Sequence, residues 1–105
     1  MNLKTVELPM GEIEAFCQRW QIIELALFGS VLREDFRPDS DIDVLATFSP
    51  TAQRGLFETL QMKDELQQIL GRDVDFIVKK AIERSENWLR RKNILESAQV
   101  IYAAR

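Results

Sequence analysis

Apolar residues recur along this chain in two rhythms, one of helices and one of strands. Ile13, Phe16, Cys17 and Trp20 stand at i, i+3, i+4 and i+7, which lines them on one helical face, and Pro9 ahead of them is a residue that opens helices. The spacing predicts a helix over about 9–20. The run Ile22-Ile23-Glu24-Leu25-Ala26-Leu27-Phe28 is short, apolar and β-branched at its start, and Gly29-Ser30 stops it, so it reads as a buried strand. A polar stretch from Arg33 to Ser40 carries the Pro38-Asp39-Ser40 signature of a turn, with Ser40 closing it. A second strand follows over Asp41 to Phe48, and Ser49-Pro50-Thr51 marks a loop.

From Thr51 to Leu70 the residues Leu56, Leu60, Met62, Leu66, Ile69 and Leu70 fall at mostly helical spacing. Gly71 stands where a helix commonly stops on a left-handed residue. Arg72 to Val78 alternates and ends apolar, a third strand. Ser85 is the expected N-cap of a further helix, with Glu86 in its first turn, and Val100-Ile101-Tyr102 forms a short last strand. This order predicts an α+β (mixed α/β) domain, one small mixed sheet packed against helices. At 105 residues the whole of 1–105 is expected to form a single domain.

Composition narrows the chemistry. The chain has no His and one Cys, so it has no imidazole base, no Ser-His or Cys-His nucleophile pair, no Cys-rich zinc site and no internal disulfide. An active site here must use carboxylates, amines, hydroxyls and backbone. Such carboxylates suit a hard divalent cation, Mg²⁺ or Mn²⁺.

The net charge of −3 argues against general nucleic-acid or anionic-membrane binding. It is unevenly spread: residues 1–50 are net −5 and residues 51–105 net +2. Within the second half, 79–92 is net +4, either a solvated helix face or a patch for the nucleotide or an acidic partner. Trp88 inside that patch is either an interface anchor or a core residue, whereas Cys17, on an apolar stripe, reads as a core thiol. The start MNLKTVELPM lacks a signal-peptide pattern and no apolar run is long enough to span a bilayer, so a cytoplasmic location is expected.

Asp41 and Asp43 stand two apart in the second strand, which points both to one face while Ile42 and Val44 point to the core. Taken alone, such a pair is commonly a solvated edge. Gly29-Ser30, ten residues before Asp41, offers a close backbone and a hydroxyl to a phosphate. Asp75 sits in the third strand between Val74 and Phe76. If the three strands are neighbours, Asp41, Asp43 and Asp75 converge, and a divalent cation is the natural partner of mutually repelling carboxylates.

The pattern GSVLREDFRPDSDIDV, a GSx10DxD arrangement, with a later strand acid at Asp75, resembles the polymerase-beta-type nucleotidyltransferase superfamily. More narrowly, residues 8–102 resemble the minimal nucleotidyltransferases of prokaryotes. The resemblance implies the polymerase-beta-like fold and Mg²⁺-dependent transfer of AMP from ATP. The resemblance further implies a two-metal site in which Asp41, Asp43 and Asp75 would be the catalytic and metal-binding acids, while Gly29 and Ser30 would hold the β- and γ-phosphates. Many members carry Arg-x-Arg-Gly after Gly-Ser; here Val31-Leu32-Arg33-Glu34 keeps one Arg, which either reaches phosphate or pairs with a nearby acid.

The resemblance also implies an acceptor. A bare catalytic domain has little surface for a small acceptor, and the minimal group commonly acts on a HEPN-domain RNase toxin encoded alongside, adenylylating a tyrosine and so serving as its antitoxin in a hetero-oligomer. Two alternatives stay open: a binding-only antitoxin that covers its partner, and a nucleotide-binding module that consumes nothing.

Overall fold

The computed structural model describes residues 8–32, 41–52 and 55–104. Helix α1 (Met10–Arg19) begins after Pro9 and buries Ile13, Phe16 and Cys17, the expected stripe. It is tied to a later helix: Trp20 Nε1 donates to Glu65 Oε2 at 2.8 Å, and Arg19 pairs with the same carboxylate. Strand β1 (Ile22–Phe28) is followed by a 3₁₀ turn over Gly29–Leu32. Strand β2 (Ile42–Phe48), helix α2 (Leu56–Leu70) and strand β3 (Val74–Val78) come next. A short helix α3 (Lys79–Glu83), helix α4 (Trp88–Ser97) and strand β4 (Gln99–Ala103) complete the order.

The sheet runs β3-β2-β1-β4. β1 is antiparallel to both β2 and β4, while β2 and β3 are parallel. A parallel pair needs a crossover, and α2 supplies it on one face. The chain then passes from β3 at one edge to β4 at the other through α3 and α4, across the opposite face. Strand alternation divides the core accordingly. Leu25, Leu27, Ile42, Val44, Ala46 and Val74 pack with α1 and α2, whereas Ala26, Phe28 and Leu45 pack with Ile82 of α3 and Ile94 of α4.

Three local expectations need correction. α2 starts at Leu56, not Thr51, because Ser49 to Ala52 form a turn closed by Ala52 N–H to Ser49 O at 3.0 Å, and Glu58 Oε2 accepts from Gly55 N–H at 2.9 Å to begin the helix. Its apolar positions also form two stripes. Met62 and Leu66 are buried, but Leu56 and Leu60 are 78% and 57% exposed, since two residues of a helix at 3.6 per turn carry Leu60 to the side opposite Met62. The cap of α4 is Asn87, whose Oδ1 accepts from Arg90 N–H at 3.1 Å; Ser85 serves one step earlier, accepting from Asn87 N–H at 3.3 Å. Gly71 does end α2 in the left-handed conformation, φ 69°, with its N–H on Gln67 O at 2.8 Å. Among the described residues no helix is long and apolar enough to cross a membrane.

Candidate functional site

Strand parity builds the site. Ile42 and Val44 are fully buried toward α1 and α2, which sends Asp43 to the other face. Val74 is buried in the same way, which sends Asp75 there too. The parallel register makes Asp43 and Asp75 direct partners, and the antiparallel register sets Phe28 beside Asp43. Phe28, Asp43 and Asp75 therefore form a row across three strands at one end of the sheet. Ile42 N–H donates to Asp73 O at 2.9 Å and fixes the two strand starts against each other.

The crossover places α4 over this row. Asn87, the cap of α4, and Leu89, Arg90 and Asn93 of the helix line a cleft of about 450 Å³ with Asp43 and Asp75. On the sheet side the chain leaving β1 turns at Gly29, φ 75°, and Val31 one residue after Ser30 is buried and anchors the turn. A Cβ on Gly29 would run into the Asp43 carboxylate, whose Cγ would lie at 3.2 Å. Only glycine allows this contact between turn and acid, and it leaves backbone, not side chain, at the rim of the site.

Asp43 and Asp75 are thus brought together as expected for neighbouring strands. Asp41 is exposed, precedes β2, and does not line the cleft. Among the described residues no group of three His, Cys, Asp or Glu side chains stands close enough to hold a metal ion by itself. The backbone of Ser30 belongs to the turn. Arg33 and Ser40 lie outside the described residues.

Other sequence readings find their places. Cys17 is buried, and burial first, then the negative charge of Glu14, pushes its thiol up to about 12; it is a core residue. Trp88 is 63% exposed at the start of α4, so it does not pack on the sheet. Phe28, Asn87, Leu89 and Asn93 were missed as site residues. The signal for α4 was the polar series Asn87, Arg90, Asn93 at i, i+3, i+6, one helical face, beside buried Ile94.

Two adjacent carboxylates, a glycine turn and a guanidinium across a cleft make an all-oxygen site facing one cation-bearing wall. Such a site can share a divalent cation with a phosphorylated ligand and can take a proton from a hydroxyl. Comparison with known proteins agrees with that chemistry. Residues 12–101 match the family described as the nucleotidyltransferase domain. The protein adenylyltransferase MntA of Thermococcus cleftensis is 29% identical over 66 residues, 63% of this chain. The chain spans just under two thirds of that relative, 65% of its length. A structure solved as a minimal nucleotidyltransferase is 30% identical, covers 94% of this chain and 95% of its own, and superposes with a TM-score of 0.66. A chain from the complex of the tri-AMPylated HEPN toxin and MNT antitoxin of Shewanella oneidensis shares the fold at a TM-score of 0.58 and 14% identity, covering 90% of this chain and 69% of that one.

Proposed function

Because the chain belongs to the nucleotidyltransferase domain family, we propose that it transfers AMP from ATP to a hydroxyl of a partner protein, a tyrosine of a HEPN-type toxin, and so acts as that toxin's antitoxin. The observation that carries this reading is the register pairing of Asp43 with Asp75 on the wall of a cleft, with the Gly29 turn close against the Asp43 carboxylate. It is supported by the named activity of the Thermococcus relative and by the AMP-bearing toxin in the Shewanella complex.

The donor set fits Mg²⁺, and Mn²⁺ equally. Both prefer carboxylate oxygen, and Mg²⁺ is usually held by one or two carboxylates and completed by substrate phosphates and water, so a site of two close protein acids is sufficient. Asp43 of β2 and Asp75 of β3, with Asp41 just ahead of β2, would hold two such ions. Bound there, the cations would neutralise the triphosphate and ease ionisation of the attacking hydroxyl. Gly29 and Ser30 would hold the β- and γ-phosphates, and Arg33 would be a further cation for phosphate. Asp75 takes the proton from the attacking hydroxyl. The oxygen–α-phosphorus bond forms as the bond to pyrophosphate breaks, and AMP remains on the acceptor.

The reading takes the chain as one catalytic domain, working in the cytoplasm in a hetero-oligomer with its acceptor. The experiment is co-expression with the product of the neighbouring gene, followed by intact-mass measurement of both chains. One or more AMP units on the partner, absent with Asp43→Asn, is the expected result. Unmodified partner together with full neutralisation would establish steric antitoxicity instead.

A further inference from the structure

Resting on that reading, we infer that α4 is the second wall of the nucleotide site and that Arg90 holds a phosphate oxygen of the bound nucleotide. Arg90 lines the cleft with Asp43 and Asp75. Among the described residues its guanidinium has no ion pair or side-chain hydrogen bond, whereas two other basic residues of 79–92 are committed elsewhere: Arg91 Nη1 donates to Ser85 O at 2.9 Å and Lys79 pairs with Glu24 at 3.4 Å. Its position is nonetheless fixed. The Arg90 backbone N–H is held by the Asn87 cap at 3.1 Å, and Ile94, four residues on, is buried against the sheet.

A cationic fork on an anchored backbone, without a side-chain partner and lining an open cleft with two acids, is an arrangement awaiting an anion. Guanidinium geometry matches phosphate bidentately. A nucleotide phosphate lying between the acids and α4 would meet cations on both sides: those held by the carboxylates and the one on Arg90. This also gives the basic stretch 79–92 a task at one residue, without requiring the rest of that face to touch the nucleotide.

Calorimetric titration of the full chain with Mg·ATP and, separately, Mg·tripolyphosphate tests the inference. Arg90→Ala is expected to bind both at least tenfold more weakly, Arg90→Lys to recover part of the loss, and Lys92→Ala, on an exposed part of α4 outside the cleft, to bind as wild type. Because Arg90 is exposed, the melting temperature of Arg90→Ala should stay near wild type, separating lost contact from lost fold. Arg90→Ala binding both ligands normally would overturn the inference, as would a loss confined to Mg·ATP, which would put Arg90 on the base or ribose. A wild type that binds no Mg·ATP would overturn the nucleotidyltransferase reading itself.

Discussion

Gly29 presses its α-carbon toward the carboxylate of Asp43, at a positive φ of 75°. The turn that follows β1 and the acid at the start of β2 can be this close only without a side chain between them. Gly29→Ala combines the left-handed cost of an L residue, about 1–2 kcal/mol, with collision on Asp43. Gly71 has nearly the same φ, 69°, but nothing within 4 Å of a built Cβ. Thermal melts should therefore show Gly71→Ala losing about 1 kcal/mol while keeping Mg·ATP binding. Gly29→Ala should lose more and bind no nucleotide; normal binding would contradict the proximity argument.

The acid pair predicts a separation of activity from fold. Asp43→Asn and Asp75→Asn should each lower AMP transfer at least about 100-fold with an unchanged circular dichroism spectrum. Like charges directly opposite across strands repel, so Asp75→Asn should melt slightly higher than wild type without metal. On the proposed reading Asp41, two residues before Asp43 and just ahead of β2, is a metal ligand, so Asp41→Asn should also lose transfer.

The two stripes of α2 can be weighed against each other. Leu66 is fully buried and Leu60 is 57% exposed. Urea denaturation should show Leu66→Ala costing about 2–5 kcal/mol and Leu60→Ala within about 0.5 kcal/mol of wild type. Equal losses would mean that Leu60 is covered in solution.

The elements that could be read from sequence are those whose pattern is local. α1 and β1 follow directly from the Ile13 stripe and the apolar run to Phe28, and Gly71 ends α2 because only a left-handed residue closes that turn. α3 was missed because five residues hold little more than one helical turn and show no periodicity. The start of α2 was misplaced because Leu56 and Leu60 supplied helical spacing without facing the core. The acids at 41, 43 and 75 were visible as types and spacings. The pairing of Asp43 with Asp75 required the β2–β3 register, and the contribution of α4 required knowing which face the last crossover covers; both are contacts between residues far apart in sequence.

Burial of Cys17 gives a pH dependence. Its folded-state thiol is raised to about 12 from an ordinary 9.0, so the contribution to stability is complete below the unfolded value and is lost as pH rises toward the folded one. Chemical denaturation should show wild type losing roughly 1–2 kcal/mol between pH 8 and 10 relative to Cys17→Ala. A native thiol that reacts quickly with alkylating agents at pH 8 would contradict that burial.

The most direct test uses the purified chain, Mg²⁺ and the purified product of the neighbouring gene, the proposed partner, with ATP labelled at the α-phosphorus in one reaction and at the γ-phosphorus in another. Covalent label on the partner from α-labelled ATP alone, lost with Asp43→Asn, is the predicted result. Label from the γ-phosphorus would make the chain a kinase, and no label from either, with the partner neutralised, would contradict nucleotidyl transfer.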